Sequence, residues 1–173
     1  MDPFATLGLP RSYELDLAAV EKTHRELSRT LHPDKFAQSG PGERRMALSQ
    51  AVLVNEAWRV VRDPIRRAEA LFELAGIPTG ERNEPAPSQA LLMDMLEQRE
   101  ALAEAKSARD MARVRTLEAE ITARAKAAEA ALGAGFRGGA DKALVPKLGE
   151  LRFYRRFLDE VSAIEDELAD GAA

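Results

Sequence analysis

LAAVEKTHRELSRTLHPDKF, residues Leu17 to Phe36, is the stretch on which the fold of this chain turns. Leu17, Val20, Leu27 and Leu31 recur at spacings of three, four or seven, so they share one face of an amphipathic helix. Pro33 has no backbone N–H and drives the residue before it out of the helical region, so the helix ends at about His32. An imidazole, a rigid kink and a carboxylate are thereby held together at an exposed corner: His32, Pro33 and Asp34, followed by Lys35 and Phe36. Two readings of the corner stand side by side. Pro33 can be a helix stop with Asp34 capping a turn, or His32 and Asp34 can belong to a metal or acid/base site.

Working back from the corner, Asp16 is the expected N-cap of this helix, and Phe4, Leu7 and Leu9 lie in a short turn or two of helix before Pro10. His24 falls at the helical angle of Leu17 and Leu31, and a histidine on an apolar stripe is more often a core residue with one hydrogen bond than a ligand. Roughly opposite, Lys22, Arg25 and Arg29 form a basic stripe, diluted by Glu21 and Glu26. Working forward, Ala37 to Gly42 reads as a loop. A second long helix is expected from about Glu43 to Arg62, burying Met46, Val54, Ala57, Trp58 and Val61 and packing antiparallel to the first. A shorter helix, Ile65 to Ala75, closes this half, with Gly76 as its C-terminal cap.

The composition narrows the class. Strand signals are nearly absent, so the fold is expected to be all-α. No apolar run reaches the roughly eighteen residues of a membrane span, and Met1-Asp2-Pro3-Phe4 does not open a signal peptide. The expectation is a cytoplasmic chain. With no cysteine there is no disulfide, thiol chemistry or zinc finger. A net charge of −4 argues against nucleic acid as partner.

Gly76 to Pro87, with Pro78, Gly80, Pro85 and Pro87, is the one clear linker and halves the chain. Beyond it, Ser88 caps a helix to about Lys106 whose apolar residues form two arcs. Leu91, Met95 and Leu102 lie on one side; Leu92, Met93 and Leu96 begin a second, continued by Glu97, Glu100 and Glu104. That second arc is either a wide core face with a solvated acidic edge or a partner surface, apolar in the middle and acidic at the rim. Ser107 and Asp110 suggest a capping box for the next helix, striped by Met111, Val114, Leu117, Ile121, Ala125, Ala128 and Leu132. Gly133 to Gly139 reads as a loop, and it lacks the flanking elements of a phosphate loop. The last helix starts or kinks at Pro146 and runs to about Ala169, with Leu148, Leu151, Tyr154, Leu158, Val161 and Leu168 as its stripe and Phe153 well off it. A three-helix bundle is the economical packing.

The first half resembles a J-domain: an amphipathic helix, the HPD corner, a loop, and a helix ending Asn55-Glu56-Ala57-Trp58-Arg59-Val60-Val61-Arg62-Asp63-Pro64. The second resembles the C-terminal domain of the HscB family of co-chaperones of iron–sulfur cluster assembly. Leu91-Leu92-Met93-Asp94-Met95-Leu96-Glu97-Gln98-Arg99-Glu100 is similar to that family's L-M-x-x-L-E-x-R-E segment, and Leu151-Arg152-Phe153 to its L-R-F. Met1-Asp2-Pro3-Phe4 and Arg67-Ala68-Glu69 add to the likeness. The resemblance implies a J-domain over residues 1–76, a linker over 77–87, and a scaffold-binding three-helix bundle over 88–173. It implies docking on an HscA-type ATPase chaperone of the seventy-kilodalton heat-shock class through His32, Pro33, Asp34, Lys35, Lys22, Arg25 and Arg29. It implies binding of an IscU-type iron–sulfur scaffold protein through Leu92, Met93, Leu96, Glu97, Glu100, Glu104 and Phe153. No catalytic residue, metal site or cofactor of the chain's own is implied; without thiolates, any cluster belongs to the client. A general J-protein for unfolded clients is the rival, and predicts a Gly/Phe-rich linker or cysteine-rich module that the chain lacks. An enzyme built on His24, His32 and Asp34 is a second rival.

Overall fold

The computed structural model describes residues 1–80 and 85–170. It is all-helical, with seven α-helices and no strand among the described residues. The chain divides into two compact units, Met1–Pro78 and Thr79–Ala173. Of the proline- and glycine-rich linker, residues 81–84 lie outside the described residues.

In the first unit, α1 (Pro3–Thr6) is capped by the Asp2 carboxylate, which accepts from the amides of Phe4 and Ala5. The fully buried Phe4 and Leu7 anchor it. Helix α2 (Leu17–Thr30) is capped by Asp16, which accepts from Ala18 and Ala19. A single 3-10 turn, Pro33–Phe36, leads to α3 (Pro41–Arg62), which returns along α2. Helix α4 (Pro64–Leu74) starts on Asp63, whose Oδ1 accepts from Ile65 and Arg66. It ends as expected on Gly76, whose φ of +71° only glycine adopts without strain, while the Ile77 amide donates back to the Phe72 carbonyl at 2.9 Å.

The core of this unit is narrower than the periodicity suggests. On α2 only Val20 is buried, Leu27 and Leu31 are half-buried and Leu17 is exposed. On α3, Met46 is 63% exposed, and Ala47 is the buried residue in its place. Position 47 lies seven residues before Val54 and so repeats its face, whereas position 46 is turned roughly 80° away. Trp58 is half-buried at the edge of the face. Arg67 is buried: its Nη1 donates to the Val61 carbonyl at 2.7 Å, and its guanidinium lies 4.7 Å from the Tyr13 ring centre.

The second unit is three helices, α5 (Gln89–Ser107), α6 (Met111–Phe136) and α7 (Val145–Asp170). Ser88 caps α5, its hydroxyl accepting from the Leu91 amide. Arg99 pairs with Glu160 and Lys106 with Glu167, one heptad further on both helices, so α5 and α7 run parallel in one register. Arg124 on α6 reaches Asp94 on the other flank of α5. The interior holds Met95 and Leu102 from α5 and Val114, Leu117, Ile121, Ala125, Ala128 and Leu132 from α6. From α7 it takes Leu148, Leu151, Tyr154, Phe157, Val161 and Ile164.

Three expectations are corrected here. Ser107 is the last residue of α5, not part of a capping box; Asp110 alone caps α6, accepting from the Arg113 amide, after a sharp turn at Arg109 with φ +52°. The segment Gly133 to Gly139 is not all loop, because α6 continues to Phe136. Gly133 is buried, and a Cβ at Gly135 would overlap the Leu144 side chain, so these glycines serve close packing within a helix. On α7, Phe157 and Ile164 are buried while Leu158 and Leu168 are only half-buried. Packed against both α5 and α6, α7 needs a wider face than one stripe. Pro146 sits in its first turn, where its missing N–H costs nothing.

Candidate functional site

The corner that ends α2 is held by backbone chemistry. His32 has extended dihedrals (φ −61°, ψ 133°), as the following proline demands, and its ring caps the 3-10 turn. The Asp34 amide donates to His32 Nδ1 at 3.4 Å, and Asp34 Oδ2 also lies 3.4 Å from that nitrogen. Both side chains face solvent, His32 59% and Asp34 89% exposed. The sequence stretch thus presents an imidazole and a carboxylate side by side at an open corner.

Lys22, Arg25 and Arg29 are all exposed on the face of α2 opposite Val20. Arg25 is paired with Glu21, whereas Lys22, Arg29 and Lys35 have no carboxylate within ion-pair distance among the described residues. The stripe runs along α2 toward the corner, Arg29 lying in the last turn. His24 is not brought to His32 and Asp34. It lies eight residues back, a rise of roughly 12 Å along the helix, and on the inner face. There its Nε2 is 2.9 Å from Asn55 Oδ1 and 3.3 Å from Ser28 Oγ, and its ring stacks on Trp58 at 5.3 Å. It is a half-buried pin between α2 and α3. Among the described residues no group of His, Asp and Glu side chains is placed to hold a metal ion.

In the second unit, α5 buries one face and leaves the other bare. Leu92, Met93 and Leu96 are 45%, 51% and 51% exposed, against 4% and 0% for Met95 and Leu102. Glu97, Glu100 and Glu104 line the outer edge, exposed and without an ion pair among the described residues. Phe153 is half-buried rather than free. The parallel register that sets Arg99 against Glu160 and Lys106 against Glu167 sets Phe153, one heptad earlier, beside Leu92. The apolar arc therefore crosses from α5 to α7. Beneath it, burial pushes the Tyr154 phenol above its usual range, and the Glu150 carboxylate adds to the shift, so this hydroxyl stays neutral. Arg156, one turn beyond Phe153, is the residue sequence reasoning missed. Its guanidinium lies 5.2 Å from the Phe153 ring centre, and the only signal was the spacing of three.

Comparison with known proteins gives a consistent picture. Residues 87–162 match a family model described as the HSCB C-terminal oligomerisation domain. The chain is 37% identical over 169 residues to the co-chaperone protein HscB homolog of Cupriavidus taiwanensis, covering 98% of this chain and 96% of that one. It is 36% identical over 160 residues to the homolog of Burkholderia multivorans, with 92% and 91% covered. Among solved structures, the chaperone HscB from Vibrio cholerae superposes with a TM-score of 0.85 at 31% identity, covering 97% of this chain and 99% of that one. Human co-chaperone protein HscB, at 24% identity, shares the fold with a TM-score of 0.87, covering 95% of this chain and 82% of that one.

Proposed function

The chain belongs to the HscB co-chaperone family, and from that premise we propose that it delivers an IscU-type iron–sulfur scaffold protein to an HscA-type ATPase chaperone and stimulates that chaperone's ATP hydrolysis. In this reading residues 1–76 are the J-domain, 77–87 the linker and 88–173 the scaffold-binding bundle. His32, Pro33, Asp34 and Lys35 meet the chaperone, with Lys22, Arg25 and Arg29 steering the approach. Leu92, Met93, Leu96 and Phe153 form the apolar centre of the scaffold surface, and Glu97, Glu100 and Glu104 its rim. The observation that carries the reading is the bare face of α5. Three large apolar side chains stand in solvent on a helix whose opposite face is fully used, which is the composition of an interface centre.

The mechanism needs no catalytic group on this chain. Holding the scaffold raises its effective concentration beside the chaperone. Contacts at the corner that favour one conformation of the chaperone shift its equilibrium and so its hydrolysis. Both partners lie in the cytoplasm in this reading; among the described residues no helix is long and apolar enough to cross a membrane. Stimulation of the chaperone's ATPase, measured with and without the scaffold, tests the proposal: synergy between scaffold and this chain is expected, and stimulation indifferent to the scaffold refutes the delivery step.

A second reading is favoured by the description of the matching family model as an oligomerisation domain. The same apolar arc then joins two copies of the chain. Sedimentation equilibrium of the wild type and of Leu92→Ala/Leu96→Ala separates the readings, since only self-association makes the wild-type mass concentration-dependent.

A further inference from the structure

Next to Phe153 lies a pocket of about 110 Å³, lined by Pro87, Leu91, Pro146, Gly149, Phe153 and Arg156 among others. That is room for a short aliphatic chain, less than the roughly 150 Å³ that admits benzene in an engineered apolar cavity. Two charged side chains, Glu150 and Arg156, stand in its wall. Glu150 is taken up by Lys147 at 2.6 Å. Arg156, stacked over Phe153 at 5.2 Å, has no carboxylate within ion-pair distance among the described residues. The guanidinium rests against the aromatic ring and lines the pocket, and a planar guanidinium can hold a carboxylate through two donors at once. On the other side of the apolar arc stand the unpaired Glu97, Glu100 and Glu104. The strip from α5 to α7 thus reads acidic, apolar, then basic.

We propose that this pocket is a subsite of the scaffold surface that receives one partner side chain with a short aliphatic stem and a carboxylate tip, a glutamate or aspartate, clamped by Arg156. The proposal rests on the scaffold-binding reading of α5. It implies that the partner's contact surface is apolar at its centre, basic where it meets α5 and acidic where it meets α7. The opposite charges at the two edges then fix which way round the partner sits, because the reversed orientation opposes like charges.

The test is a binding titration of the full chain with the IscU-type scaffold protein at low and high salt, on Arg156→Gln, Arg156→Glu, Arg156→Lys and, as reference, Leu92→Ala/Leu96→Ala. Arg156 is exposed, and melting curves check that each variant is folded. Arg156→Gln is expected to weaken binding several-fold and Arg156→Glu roughly tenfold or more at low salt, as charge reversal at an interface does, with the deficit shrinking at high salt. Arg156→Lys should recover part of the loss. Wild-type affinity for Arg156→Glu alongside a weakened Leu92/Leu96 reference overturns the subsite and leaves the scaffold surface standing. An equal, salt-independent loss in all three Arg156 variants overturns the carboxylate clamp, since packing alone would then account for it. Wild-type affinity in the reference variant overturns both.

Discussion

Replacing Leu92 and Leu96 by alanine, and separately Met95 and Leu102, asks the two faces of α5 opposite questions. Leu92 and Leu96 are about half exposed in the free chain, so no cavity opens when they are truncated. Alanine is also the better helix former, and such surface changes stay within roughly 0.5 kcal/mol. A partner that covers them buries the remaining half of each side chain. With full burial worth about 1.5–3 kcal/mol, the half contributes roughly 0.8–1.5 kcal/mol per residue, and the pair roughly ten- to a hundredfold in affinity. Leu102 is fully buried and Met95 nearly so. Each should cost about 2–5 kcal/mol of stability on truncation to alanine, a melting point lower by on the order of 10 °C for a unit of this size. Thermal unfolding and a scaffold titration on both pairs decide the matter. The reasoning fails if the Leu92/Leu96 variant melts far below wild type, which would make those residues core. It fails equally if that variant both melts and binds as wild type, which would leave the bare face without a role. Phe153 is kept out of this pair because it is half-buried, and its truncation would mix the two effects.

Changing His32 to glutamine should leave the helical content measured by circular dichroism unchanged, because the side chain is exposed, and should abolish stimulation of the chaperone's ATPase; persistent stimulation would remove the corner from the docking surface. Reversing Arg29 to glutamate should slow chaperone association more than reversing Arg25, which is already paired with Glu21, and the difference should fade at high salt in stopped-flow traces. The Asp2 carboxyl is held below the usual carboxylate range: burial pushes it up, but the Ala5 and Phe4 amides and the Arg11 guanidinium outweigh that. A lowered folded pKa means stability present above the unfolded value of 3.8 and lost as pH falls through the folded one. Asp2→Ala should therefore cost about 0.5–2 kcal/mol at neutral pH, as the loss of an N-cap does, and the gap to wild type in urea melts should close below pH 3.8.

What could be read in advance was whatever a residue settles with its near neighbours along the chain. Asp16, Ser88 and Gly76 cap their helices because the hydrogen bonds concerned span five residues or fewer. The α6 stripe was legible because its apolar residues repeat every three or four positions and all but Met111 are buried. Met46 is as apolar as any core residue and larger than Ala47, so the heptad that puts Ala47 on the Val54 face was outweighed by side-chain size. What could not be read was set by a second helix. The glycines at 133 and 135 carry a local preference for loop, overruled by the run of helix before them and, at Gly135, by Leu144 packed against the bare backbone. Phe153 stood off the stripe, as noted from spacing, but the pocket it lines is completed by Leu91 of α5, distant in sequence. For the candidate sites the proportion is the same: the corner is contiguous and was visible whole, while Arg156 acquires its meaning only where α7 passes α5.

On the proposed reading, the charges also bear on how one small chain would serve two partners. On α5 the two cations Arg99 and Lys106 are turned toward α7 and consumed by Glu160 and Glu167. Had either stood three or four residues from Glu97, Glu100 or Glu104 on the outer face, the carboxylates would be part of an ordinary paired surface. Instead the outer edge beside the apolar arc is uniformly negative. On α2 the outer face carries Lys22, Arg25 and Arg29, with only Arg25 paired. A partner surface complementary to one of these faces is repelled by the other, at no cost to the affinity of the correct pair. Both encounters then quicken at low ionic strength, yet each partner is steered to its own unit. Exchanging the signs, by glutamates on α2 and lysines on α5, would be expected to misdirect both partners while leaving the two helical cores, which contain none of these side chains, unchanged.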